Sequence, residues 1–233
     1  MEIQFGAAKV AKYATHESGD TLEFIERPHG GLSAVLVDGQ RSGRSAKIIS
    51  NIVARKAISL LGEGVRDGAA ARAAHDYLLT HRAGRVSAEL QIVSVDLRSE
   101  SVVISRNTRC PALIMHEGRF RRFDADSRAI GIHVDTKPVI IELPLRPDTV
   151  VAAFTDGLSC IEEACPDCGD LEEMVTYAAR EHLSAQALAD MLLSRALEIE
   201  EGRPTDDISV LAMVALSHVV PYGVRRLSAS FPV

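Results

Sequence analysis

The feature that most restricts the fold is a run with no polar face, "ISVLAMVAL" at residues 208 to 216. Successive residues of a strand point to opposite sides, so a half-buried strand alternates apolar and polar residues. This run does not alternate, and neither do "AVLV" (34–37) and "VVAAF" (150–154). Each must be covered twice, once by another sheet and once by helices. A four-layer α-β-β-α sandwich satisfies that demand.

The remaining pattern agrees. "EIQFGAAKVA", "TLEFIER" and "LSAVLVD" read as three strands before any helix. Helical spacing then runs from Ser42 to Leu61 through Ala46, Ile49, Val53, Ala57 and Leu60, and again through "DGAAARAAHDYLLTHRAG" to a stop at Gly84. "VSAELQIVSVDL" and "SVVISRN" follow as strands, then a hairpin through Glu117-Gly118, then "PVIIELPL" and "DTVVAAFTDG", whose Asp-Gly ending reads as a turn. Two more helical stretches, 170–181 and 184–201, precede the last strand. Strands in runs and helices in pairs make this an α+β fold with two mainly antiparallel sheets. Without repeat or linker, residues 1–216 are expected to form one domain and 217–233 a C-terminal tail.

Composition narrows the function classes. Lys and Arg total 26 against 32 Asp and Glu, a net charge of -6, which disfavours nucleic acid or an anionic membrane as partner. The N-terminus has no basic stretch followed by an apolar one, and no apolar run approaches the ~20 residues that span a bilayer. Four cysteines (Cys110, Cys160, Cys165, Cys168) make no disulfide framework. A soluble cytoplasmic protein is expected.

Four strand ends carry an aspartate: "SGD" (Asp20), "LVDG" (Asp38), "FTDG" (Asp156) and "TDD" (Asp206, Asp207). One Asp-Gly after a strand is usually only a turn. Four recurrences are different, because strand ends distant in the chain meet at one edge of a sandwich. Hard oxygen donors gathered there suit Mg²⁺ or Mn²⁺. Two such ions about 3.5–4 Å apart bind a phosphoryl oxygen and lower the pKa of a shared water. Pro204 sets the entry to the last strand, which places Asp206 at the loop-strand junction.

In order, "SGDTLE", "LVDGQRSGRSA", "RNTRCPALI", "AIGI", "FTDGLSCIEE" and "GRPTDDISVL" resemble the motifs of metal-dependent protein phosphatases of the 2C class. The resemblance is to the bacterial SpoIIE-like branch, in particular its short stand-alone stressosome members, and covers residues 3 to 216. It implies a two-ion Mn²⁺ or Mg²⁺ site that removes phosphate from phosphoserine or phosphothreonine of a signalling protein, a STAS-type protein or anti-sigma-factor antagonist. By the same resemblance Asp20, Asp38, Asp156 and Asp206 are metal ligands, Gly39 offers its carbonyl, and Asp38, Asp156 and Asp206 carry the catalysis. Asp207 and Glu23 stand behind them. An Asn at Asp207, which keeps an oxygen acceptor, is then expected to be mild beside an Asn at Asp206. This chain departs from the pattern where Gln40-Arg41-Ser42 replaces a Gly-rich continuation. The histidine that acts as general acid in eukaryotic members is absent, which leaves the leaving-group acid unassigned. With only a short stretch before Asp20, a large signal-gated member of the branch is not expected.

Other signals are weaker. "DGQRSGRSAK" fails as a phosphate-cradling loop on glycine spacing and on its missing lysine, although Arg41 and Arg44 can reach a substrate phosphate near a helix N-terminus. "CPDC" has zinc-ligand spacing without a second pair, and "RFRR" at 119–122 reads as a solvated hairpin. No GxSxG elbow is present. The alternative function is a catalytically weak phosphoprotein-binding regulator on the same fold, against which the retention of all four aspartates argues.

Overall fold

A computed structural model describes residues 1–164, 171–217 and 223–230, with the side chains of 161–164 left aside. The doubly apolar strands lie where double coverage requires. One sheet has the order β1-β10-β9-β6-β7, formed by β1 (Glu2–Val10), β10 (Ile208–Leu216), β9 (Val150–Phe154), β6 (Ala112–His116) and β7 (Arg119–Phe123). The other has the order β2-β3-β4-β5-β8, formed by β2 (Thr21–Glu26), β3 (Gly31–Gly39), β4 (Ala88–Asp96), β5 (Ser101–Asn107) and β8 (Val139–Pro144). Every strand pair in them is antiparallel.

Three apolar layers hold the sandwich together. Even-numbered β10 residues such as Val210 and Ala212 pack against α4 (Leu171–Arg180) and α5 (Ala185–Ile199). Their odd-numbered neighbours Leu211 and Met213 meet Leu36, Val93 and Ile104 between the sheets. On the outer side of the second sheet, Val35, Val37 and Ile92 pack on α1 (Gly43–Gly62) and α2 (Asp67–Arg82). The 3.6-residue spacing of Ala46, Ile49, Val53 and Ala57 makes the buried stripe of α1.

One element differs from expectation. Asp156 is the first residue of a further helix, α3 (Asp156–Ala164), and not part of a turn. The Thr155 carbonyl accepts from the amides of Leu158 (3.2 Å) and Ser159 (3.5 Å). The glycines after Asp38 and Asp156 serve close approach: a Cβ on Gly39 would lie 2.1 Å from the Ala46 oxygen, and one on Gly157 would lie 2.3 Å from the Asp207 oxygen. Turn statistics could not separate that use of glycine from a left-handed turn. The Glu117-Gly118 hairpin follows the turn reading, with φ of 49° and 71°. "CPDC" lies outside the described residues.

A buried polar network secures α2. Arg27, after β2, donates to Ser33 Oγ (3.0 Å) and to Asp67 Oδ2 (3.3 Å) at the start of α2, while Ser94 Oγ donates to Asp67 Oδ1. Asp67→Ala strands the Arg27 cation in a buried position, where loss of one partner costs about 3–5 kcal/mol. Urea unfolding of the variant should show a loss of that size.

Candidate metal centre

Five chain segments end at one edge of the sandwich. Asp20 directly precedes β2, whose Thr21 faces Val37, and Asp38 pairs across the ladder with Glu89 of β4. Asp156 follows β9 by two residues, and Asp206 precedes β10 by two. The edge holds a cleft of about 400 Å³. Asp38, Glu89, Asp156 and Asp206 line it, with Gly39 in its wall and Lys12 and Arg41 as its two cations.

Crowding shows in the protonation of these groups. Burial, then the charges of Asp20, Asp156, Glu89 and Asp206, push the Asp38 carboxyl up to about 10. Asp156 is also raised, by burial and then by Asp206 and Glu89, and it is hydrogen-bonded to the Asp38 carboxyl. Burial and mutual repulsion thus favour a shared proton over full ionisation of this pair. Among the described residues, no three acidic, histidine or cysteine side chains are already gathered so as to hold a metal ion by themselves.

Asp20 lies beneath the cleft, 1% exposed. Its Oδ2 accepts from Thr155 Oγ1 (3.1 Å) and Ser209 Oγ (2.6 Å), both on the first sheet, whereas its Oδ1 is buried with no partner. Burial pushes its pKa up to about 6 against the pull of the Ser209 hydrogen bond. A buried carboxylate oxygen without a donor is costly. A divalent cation would satisfy it, and a set composed of carboxylate oxygens suits Mn²⁺ or Mg²⁺. The residues present therefore fit such ions.

The two carboxylates of "TDD" part ways. Asp206 faces the cleft, whereas Asp207 is 5% exposed and turns to the loop before Asp20. Its Oδ1 accepts from the Lys12 amide (2.9 Å) and its Oδ2 from the Gly19 amide (2.8 Å). An asparagine there satisfies only one of these amides and turns its NH₂ against the other, so the expectation of a mild change is corrected. Glu23 sits within β2 and does not line the cleft. Arg41 lines the rim with φ of 76°, and Arg44 in the first turn of α1 does not reach the lining.

Two cleft residues escaped the sequence reading. Lys12 carried no motif. Glu89 had the same signal as Asp206, a carboxylate at the mouth of an apolar strand in "SAELQIV". Glu89 accepts from Thr108 Oγ1 and from the Arg109 amide (3.5 Å). That loop is folded by the buried Arg106, whose Nη2 donates to the carbonyls of Cys110 (2.6 Å) and Thr108 (3.2 Å).

The architecture is that of the PP2C phosphatase fold. The PP2C domain of SpoIIE from Bacillus subtilis, with a fragment of its regulatory domain, superposes with a TM-score of 0.76 at 20% identity, over 91% of this chain and 63% of that one. This chain therefore spans less than two thirds of that relative. The catalytic domain of the serine/threonine phosphatase PstP in complex with two manganese ions superposes with a TM-score of 0.70 at 14% identity, covering 92% of this chain and 99% of that one. The RsbU and RsbW domains of a Mycobacterium tuberculosis protein give 0.71 at 20%, over 94% of this chain and 61% of theirs. No curated protein matches the chain in sequence. The family model of stage II sporulation protein E matches residues 28–215, and the chain belongs to that family.

Two predictions follow from the electrostatics. Because burial and its acidic neighbours push Asp38 up to about 10, Mn²⁺ uptake at this edge should expel a proton, and affinity should rise with pH between 6 and 8. Calorimetric titration in buffers of different ionisation enthalpy should read about one proton released per Asp38 displaced. Without metal, Asp206→Asn relieves repulsion and should leave the melting temperature unchanged or raised. Asp207→Asn leaves a buried amide unmatched at a cost of about 1–3 kcal/mol and should lower it.

Proposed function

We propose that this protein is a Mn²⁺- or Mg²⁺-dependent phosphatase of phosphoserine and phosphothreonine, acting in the cytoplasm on a phosphorylated signalling protein of the partner-switching kind. The observation that carries the reading is the crowding of Asp20, Asp38, Asp156 and Asp206 at one edge, where burial and mutual repulsion raise the Asp38 and Asp156 carboxyls. When bound, a pair of divalent ions supplies Lewis acidity and an activated water. Asp38, Asp156 and Asp206 would hold the ions from the cleft, and Asp20 with the Gly39 carbonyl would hold them from beneath.

The chain's own groups divide the remaining work. Lys12 and Arg41 set positive charge on the rim of an otherwise acidic cleft, where the substrate phosphate requires it. Asp207 fixes the Lys12 main chain, so the lysine side chain starts from a rigid base. Among the described residues no histidine lines the cleft, so no imidazole stands ready to protonate the leaving serine or threonine oxygen. An open edge admits a side chain from a folded partner. A STAS-type protein or anti-sigma-factor antagonist as substrate is supported by two fold neighbours, the RsbU–RsbW domains and a structure from work on the bacterial stressosome. Among the described residues no helix is long and apolar enough to cross a membrane.

The purified chain should hydrolyse p-nitrophenyl phosphate and a phosphoserine peptide with added Mn²⁺ and stop in EDTA. Full turnover in chelator contradicts the proposal, and tight phosphopeptide binding without turnover favours the binding regulator instead. Lys12→Gln and Arg41→Gln should each raise KM for p-nitrophenyl phosphate about tenfold, the weight of one charge-assisted hydrogen bond. Arg44→Gln should change it little.

A further inference from the structure

The main chain of Asp20 is gripped more firmly than its carbonyl requires. Lys47 Nζ on α1 donates to that carbonyl at 2.5 Å and Lys9 Nζ on β1 donates to it at 3.2 Å. Lys47 also donates to Thr21 Oγ1 (3.0 Å), which in turn donates to Asn51 Oδ1 (2.9 Å) on α1. Ser50 Oγ on α1 donates to the Gly19 carbonyl at 2.5 Å. One lysine would satisfy the carbonyl. Two bring like charges together, and burial with the neighbouring Lys9 pushes Lys47 down to about 8.

What the second lysine adds is a second layer. β1 is an edge strand of the first sheet, and α1 lies on the outer face of the second. The Asp20 carboxylate is held only by the first sheet, through Thr155 and Ser209. Lys47, Ser50 and Asn51 are the side chains through which α1 reaches the Gly19-Asp20-Thr21 segment.

Resting on the metal-dependent reading above, we propose that Lys9 and Lys47 are positioning residues: by clamping the Asp20 carbonyl from two layers they place its unpartnered Oδ1 for the ions and set their affinity. The sign separates this from a simple charge effect. A lysine acting only as a nearby cation weakens ion binding, so its removal tightens it. A lysine acting as a clamp strengthens binding through geometry, so its removal weakens it.

The test is calorimetric Mn²⁺ titration of the wild type, Lys47→Met, Lys47→Arg and Lys9→Met, with far-UV circular dichroism and metal-free melting as the check on fold. Lys47→Met should weaken Mn²⁺ binding at least about tenfold, the usual size of a change behind the ligands, while Lys47→Arg stays within about threefold. Lys9→Met should weaken binding in the same direction and stands in should Lys47→Met not fold. Wild-type or tighter affinity in both methionine variants overturns the clamp alone. A wild type that binds no Mn²⁺ overturns the metal reading, and the clamp falls with it.

Discussion

Mutual repulsion among carboxylates at one edge of the sandwich is the constraint to which the neighbouring structure answers. Burial, then the charges of Asp20, Asp156, Glu89 and Asp206, push the Asp38 carboxyl well above the usual carboxylate range. Asp20 stays in place through hydroxyls of Thr155 and Ser209 and through two lysines on its carbonyl. Asp207 is steadied by two main-chain amides. Each device lowers the cost of keeping negative charge where water is scarce. A divalent ion does the same more completely, which is why the edge reads as a cation site.

Such an arrangement can be held only by a rigid support, and the three apolar layers supply it. The carboxylates come from segments far apart in sequence, so none is placed until both sheets have paired and stacked. Gln91 shows how closely the sheets are registered near the site: its Nε2, on β4, donates to the Phe154 carbonyl on β9 at 2.7 Å. Phe154 lies two residues before Asp156. Small residues at the same edge let backbones meet, with Gly39 against α1 and Gly157 against the approach to β10.

Charge is ordered across the cleft. Carboxylates form its floor and one wall, and Lys12 and Arg41 stand at the rim. A phosphorylated side chain carries about two negative charges and would be repelled by the floor without ions. Divalent ions held by these carboxylates would turn that repulsion into attraction, beside the positive charge of Lys12 and Arg41. The acidic balance of the whole chain gives no comparable attraction for nucleic acid.

Much of this was legible in the chain itself. Runs without a polar face at 34–37, 150–154 and 208–216 imposed double coverage, and hence four layers, because burial of both faces of a strand admits few other arrangements. Aspartates recurring at strand ends marked the edge, because strand ends converge in any sandwich. What periodicity could not supply was anything set by a neighbour distant in sequence. Glu89 belongs to the cleft because β4 pairs with β3 in a register that sets it opposite Asp38. Asp206 and Asp207, adjacent and chemically alike, take different tasks because only one of them meets the amides of Lys12 and Gly19. Gly157 is a contact and not a turn because the Asp207 carbonyl presses on it. Local pattern records which face of an element is dry, whereas the partner of each polar atom is decided only when separate strands are brought side by side.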